Sequence, residues 1–334
     1  MRSNKMRAGV ALAMTGALVV GTGAIVVAQS PSAGAGANVA YLSASSANTW
    51  LAASKVKMDE IAAANGITLT EFDAQFNADT QTSQLQDAIA SGQYQGMIVA
   101  ALNGVGLLPD LQAAAANGTK IVALNQIIGP ALDTADPQDP SIVASVLAPP
   151  LRSGERLGKL TLKACEGKDV CNVVYFYGIK GIPLDNALKQ GFDATIAANP
   201  AIKVVAEGEG QYLGPDVAMT AMQDIITSTP AFDVVVGSDQ SIQGVVLALA
   251  DAGKTAAVIG LGGSTPALTG IADGSWFGDV MGAPATEGKL AMEAMVAALK
   301  DGTVTGGIDP LTTLPDEGLV TKDNVAKFTA EWNG

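Results

Sequence analysis

Short apolar runs alternate with stretches of helix-like length from about residue 38 to the C-terminus, and this alternation restricts the fold more than any other feature. Strand candidates fall at 38–42, 68–72, 96–101, 120–124 and 143–147, then at 172–177, 203–207, 233–236, 257–261 and 277–281. Helical stretches lie between them, among them 48–65, 81–91, 151–165, 184–198, 216–227 and 285–299. Strands that are apolar along their whole length are buried on both faces, which is the signature of parallel sheets covered by helices. Strict βαβα order is the doubly wound α/β pattern. Apolar residues make up 48% of the 334 positions and charged residues 15%, enough for two lobes with cores of their own.

A faint internal repeat points to two similar lobes. Gln86, Asp87, Ile89, Ser91, Val99 and Leu124 recur in the same order as Gln223, Asp224, Ile226, Ser228, Val236 and Leu261. Two like α/β units facing each other leave a cleft between the C-terminal edges of their strands, where open α/β sheets bind ligands.

The front end reads as an export signal over residues 1–28. Arg2, Lys5 and Arg7 precede an apolar run over 8–28, and Val26 and Ala28 suit a cleavage site. Residues 29–37, rich in Ser, Gly, Pro and Ala, read as a flexible leader. The alternative is an uncleaved anchor, since the run is nearly long enough to span a bilayer. Loss of the three basic residues takes the formal charge from −13 to about −16, because no acid precedes position 28. So acidic a surface repels nucleic acid and anionic lipid. The chain has no histidine, which removes a Ser-His-Asp triad and the commonest zinc ligand. No cofactor is implied. The only cysteines, Cys165 and Cys171, suit a disulfide in an exported chain, stapling a helix end to the following strand.

Four stretches carry a family likeness: Val39-Ala40-Tyr41-Leu42 with Ser46-Ala47-Asn48-Thr49-Trp50; Ala88-Ile89-Ala90-Ser91-Gly92 leading to Gly96-Met97-Ile98-Val99-Ala100; Leu188-Lys189-Gln190-Gly191-Phe192; and Val235-Val236-Gly237-Ser238-Asp239. On these the chain resembles the periplasmic sugar-binding proteins of the ribose-binding type, with the type I periplasmic binding fold. The resemblance implies two doubly wound parallel-sheet lobes joined by a three-segment hinge, with crossings near Ala148, Ala283 and Ile308. The N-terminal lobe is then 38–148 plus 283–308, and the C-terminal lobe 149–282 plus 309–334. The long loop over 129–140 is expected at the cleft mouth. The resemblance implies a monomeric binding protein rather than an enzyme. It would capture a small neutral solute, a sugar or polyol, for the membrane subunits of an ABC importer. A sensory receptor presenting its closed form is the alternative.

A neutral sugar needs flat apolar surface for its C–H faces and amides or carboxylates for its hydroxyls. Loops that follow strands supply candidates of both kinds. Asn48 and Trp50 follow the first strand, at the family's places for a polar contact and a stacking ring; Trp50 is alternatively core at a helix start. Asn103 follows the third strand, and Asn125 with Gln126 the fourth, either as ligand contacts or as turn and cap residues. In the second lobe the candidates are Asn186, Tyr212 and Asp239, of which Asp239 is alternatively a helix cap. Against the family pattern, Gly262-Gly263-Ser264 replaces the usual Asp, Gly282 replaces a Gln, and Gln126 and Asn186 replace Arg. A pocket without Arg implies an uncharged ligand, because burying a phosphate or carboxylate unpaired costs several kcal/mol. The same replacements imply room for a ligand larger or less polar than ribose. Gly260–Ser264 lacks phosphate-loop spacing. Asp185 with Asp239 has no spacing that defines a glycosidase pair. Gly154 and Gly191 read as helix-packing positions.

Overall fold

A computed structural model of the chain describes residues 36–229 and 231–334. The export segment expected at 1–28, and most of the leader at 29–37, lie outside the described residues.

In chain order the first lobe opens with β1 (Asn38–Ser43), α1 (Thr49–Ala64), β2 (Thr68–Asp73), α2 (Ala78–Ser91), β3 (Gly96–Val99), α3 (Gly104–Ala116), β4 (Lys120–Leu124) and β5 (Ile142–Val146). The chain then builds α4 (Pro150–Ala164), β6 (Cys171–Tyr177), α5 (Pro183–Ile196), β7 (Ile202–Glu209), α6 (Pro215–Ser228), β8 (Val234–Val236), α7 (Asp239–Asp251), β9 (Ala257–Leu261), α8 (Thr265–Asp273) and β10 (Gly278–Val280). It returns with α9 (Pro284–Asp301) and β11 (Gly306–Ile308), and ends in the second sheet with β12 (Leu319–Thr321).

The two sheets share one plan. Their strand orders are β11-β5-β4-β3-β1-β2 and β12-β10-β9-β8-β6-β7. Every pairing in the first sheet is parallel, and in the second only β12 runs antiparallel, against β10. The fold is two doubly wound α/β lobes. The internal repeat is exact at the level of elements: α2 and β4 recur 137 positions later as α6 and β9. The chain passes between sheets after β5, after β10 and after β11, by way of residues 147–149, 281–283 and 309–318.

Strand chemistry explains the burial. β3, β5 and β8 are buried at every position, as parallel strands covered on both faces must be. Helix starts are fixed in two ways. Asn48, Asn77, Asn103, Ser238 and Ser264 cap α1, α2, α3, α7 and α8 with side-chain oxygens. Pro150, Pro183, Pro215 and Pro284 begin α4, α5, α6 and α9, where a missing N–H costs nothing.

Cys165, at the end of α4, is bonded to Cys171, the first residue of β6, so the disulfide staples helix to strand. The long loop over 129–140 is pinched by Gln138, whose amide bonds both the N–H and the carbonyl of Ala131. Its Leu132 carbonyl accepts from Leu151 N at 3.1 Å, which ties the loop to α4 of the other lobe.

Glycines allow the closest helix contacts. A Cβ at Gly154 would stand 2.0 Å from Leu188 O, and one at Gly191 would stand 2.0 Å from Leu151 O. The α4–α5 pair therefore tolerates no side chain at either position. We expect Gly154→Ala or Gly191→Ala to lower stability by about 2 kcal/mol, as overpacking forces the helices apart. Urea unfolding midpoints at unchanged m-value check this.

Candidate functional site

The C-terminal edges of the two sheets face a cavity of about 110 Å³, well above the ~10–15 Å³ that one water requires. From the first lobe it is lined by Asn48, Trp50, Phe76, Asn125, Gln126 and Glu287. From the second come Ser153, Ile182, Leu184, Leu188, Tyr212, Ser238, Gln240 and Met281.

Each polar side chain is held by its element. Asn48 ends the loop after β1; its Oδ1 accepts from Leu51 N at 2.9 Å, which caps α1. The same amide is fixed by that cap so that Nδ2 donates to the Tyr212 carbonyl at 3.0 Å, across the cleft. Phe76 and Tyr212 also meet across it, with ring centroids 6.4 Å apart. The lobes are thus in direct contact at the cavity's rim.

Trp50 stands in the first turn of α1, and its Nε1 donates to Glu287 Oε2 at 3.2 Å. Asn125 leaves β4 with φ +62°, a left-handed conformation that Asn tolerates better than most residues. From there its Nδ2 reaches the same Glu287 oxygen at 3.3 Å. Tyr212 donates its hydroxyl to Asp185 Oδ1 at 3.1 Å, and Asp185 also accepts from Gly178 N and Ile179 N. The Tyr212 ring lies so close over Gly178 that a Cβ there would stand 1.9 Å from it.

The electrostatics favour neutral forms. Burial pushes the Glu287 carboxyl up to about 8, against the opposing hydrogen bonds from Asn125 and Trp50, with Glu331 and Asp309 adding repulsion. Burial likewise pushes Asp185 up to about 6, against its three donors. Among the described residues no Lys or Arg lines the cavity. The wall therefore offers amides, hydroxyls and, at neutral pH, one protonated carboxyl, set among aliphatic and aromatic surface.

Asn48, Trp50, Asn125, Gln126 and Tyr212 come together at this cavity. Three other sequence candidates do not. Asn103 is exposed, and its side chain caps α3 by accepting from Gly106 N at 3.0 Å. Asn186 is exposed on the outer side of α5, where its Nδ2 donates to Gly181 O; Ile182, Leu184 and Leu188 take the cavity face instead. Asp239 is fully buried behind the wall, where Oδ2 accepts from Ser264 N at 2.7 Å. Burial holds both Asp239 and its neighbour Asp279 above the usual carboxylate range, and the Asp239 charge raises Asp279 further. The residues on either side of Asp239, Ser238 and Gln240, face the cavity. Phe76 and Glu287 escaped the sequence reading. Phe76 lies in the loop after β2 and obeys the rule that found Trp50. Glu287 carries no such signal, because it lies inside the first turn of α9 rather than in a loop after a strand.

Among the described residues no cluster of acids, cysteines or histidines is arranged to hold a metal. No described helix is long and apolar enough to cross a membrane.

Known proteins place this architecture. The chain is 28% identical over 284 residues to the xylitol-binding protein of Mycolicibacterium smegmatis, covering 83% of this chain and 75% of that protein. A galactofuranose binding protein superposes with a TM-score of 0.75 at 22% identity, covering 87% of this chain and 96% of the other. The Caulobacter myo-inositol binding protein, bound to myo-inositol, gives 0.73 at 22%, covering 88% and 95%. The periplasmic binding protein domain model matches residues 39–303. That match spans well over half of the sequence and both lobes, and the chain belongs to the periplasmic binding protein family.

Proposed function

We propose that the protein captures a small uncharged sugar or polyol between its lobes and presents the closed complex to the membrane subunits of an ABC importer. One observation carries the reading: the interlobe cavity combines hydrogen-bonding amides with ring and aliphatic faces, and its one carboxyl is buried with no Lys or Arg in the lining, which favours the neutral form. Polyols match such a wall because their hydroxyls donate and accept while their C–H faces lie on apolar surface. The names of the relatives, which bind xylitol, galactofuranose and myo-inositol, support the same ligand class. Export of a monomer by the segment at 1–28 fits this role. The lobes, 38–148 plus 283–308 and 149–282 plus 309–334, would swing about the three crossings. Ligand contacts from both sides then favour the closed state.

A thermal-shift screen tests this. The probes are xylitol, myo-inositol, D-galactose and L-arabinose, with galactose 6-phosphate and galacturonate as charged controls. A ligand at about 100 times its Kd adds roughly 2.7 kcal/mol of stability. We expect a clear upward shift with one uncharged class and none with the controls. A shift with the charged controls alone would sink the reading.

A further inference from the structure

The C-terminal tail after residue 328 belongs to no sheet, yet it is built into both lobes. Glu331 reaches the first turn of α9, where its carboxylate accepts from Thr286 N at 2.8 Å and from Thr286 Oγ1 at 2.5 Å. The next residue faces the other lobe. Trp332 is 5% exposed, and its Nε1 donates to Gly262 O at 2.7 Å. Its carbonyl accepts from both Thr265 N and Thr265 Oγ1. Consecutive residues thus fasten the start of α9 and the loop after β9.

The Trp332 indole then meets Trp50 edge to face, with centroids 5.4 Å apart and planes at 72°. Two glycines make room for this pair. A Cβ at Gly262 would stand 2.6 Å from Trp332 Cζ2, and one at Gly282 would stand 2.2 Å from Trp50 Cη2. The indoles fill space that side chains at 262 and 282 would otherwise take. Trp50 lines the cavity, whereas Trp332 stands behind it. Trp50 is also held by its Nε1 bond to Glu287 and by packing against the first-lobe core, and the tail adds an aromatic edge to that support.

We propose that Trp332 is a specificity-determining residue that acts through Trp50: the tail locks the Trp50 ring as a rigid wall and so sets which polyols fit. The inference rests on the interlobe cavity being the ligand site. Without the edge contact the Trp50 ring is free to swing toward the vacated space. The cavity then widens, and discrimination between small and larger polyols falls.

The test uses the full chain with Trp276→Phe, so that with Trp332 replaced Trp50 is the only indole left of the three. Trp332→Phe keeps an aromatic edge; Trp332→Ala removes it. We expect acrylamide quenching of Trp50 to rise about threefold from the Phe to the Ala variant, as the loss of an aromatic neighbour opens the ring to solvent. Calorimetric titration with xylitol, myo-inositol and methyl galactosides should show the small probes weakened about tenfold by Trp332→Ala, with the methyl galactosides retained or improved, while Trp332→Phe keeps the native order. Should the Ala variant not fold, Trp332→Leu, which fills apolar volume without a ring edge, takes its place. Unchanged quenching overturns the inference whatever the titrations give. Raised quenching with the native order of affinities also overturns it, since Trp332 would then serve folding alone. If the unsubstituted protein binds none of these probes, the proposed function fails, and the quenching comparison still decides whether Trp332 fixes Trp50.

Discussion

Trp50→Ala is expected to weaken ligand binding by at least about 100-fold, close to 2.7 kcal/mol, while the chain stays folded. The indole is half-buried, in the first turn of α1, and one side of it forms cavity wall. An aromatic side chain carries about 150–250 Å² of surface, and a ligand covering a third of it gains roughly 1.5 kcal/mol from area alone. Truncation also leaves the Glu287 acceptor short of one donor and deprives Trp332 of its ring partner. Those losses fall on the bound and free states unequally, because the closed form needs a formed wall. Trp50→Phe separates the parts: it keeps a ring and loses the Nε1 bond, and it should weaken binding by no more than about tenfold. Titration calorimetry on both variants, with thermal unfolding as the check on folding, reads the result. An affinity for Trp50→Ala within twofold of the native value would place the ligand elsewhere.

That residue was legible in the sequence because it satisfies two conditions at once: it follows an apolar strand, and its ring chemistry suits a sugar face. The fold was legible for a related reason. Ten strands stand out as short apolar or alternating runs between helical stretches, and the doubly wound class follows from their βα alternation. β11 and β12 escaped because each is a three-residue strand without periodicity inside the Gly-, Thr- and Asp-rich stretch over 301–323. The site was harder to read at helix starts, where a short polar side chain has two possible uses. Asn103 and Asp239 satisfy helix N-termini, their own or a neighbour's, and so turn away from the cavity. Asn48 does both, since its amide has an acceptor for the cap and a donor left for Tyr212. Glu287 was invisible because an acid in the first turn of a helix is ordinarily explained by the helix dipole. Only the tertiary packing of α9 against α1 reveals that it is buried beside Trp50 and Asn125.

Glu287→Gln should stabilise the protein by about 3 kcal/mol more at pH 8 than at pH 5. The carboxyl is almost wholly buried on α9 and pushed up to about 8, mainly by desolvation, whereas a glutamate in an unfolded chain titrates near 4.3. Between those values the folded chain holds a proton that the unfolded chain has lost. Its stability therefore falls as pH rises through this window and levels off above about pH 8. That separation corresponds to roughly 4–5 kcal/mol at most. Asp185, pushed up to about 6, and the raised pair Asp239 and Asp279 act in the same direction, so the native slope alone would not single out Glu287. The difference between the native chain and Glu287→Gln does, because the amide keeps an acceptor for Trp50 and Asn125 and has no proton to lose. Urea unfolding at half-unit steps from pH 5 to pH 9 measures it. Parallel curves would mean that the carboxyl is ionised at neutrality. Ligand affinity should follow the same proton. The protonated carboxyl faces hydroxyls with a donor as well as an acceptor, and ionisation removes the donor and adds a buried charge to the wall. Affinity of the native protein should therefore decline above pH 8, and that of Glu287→Gln should not.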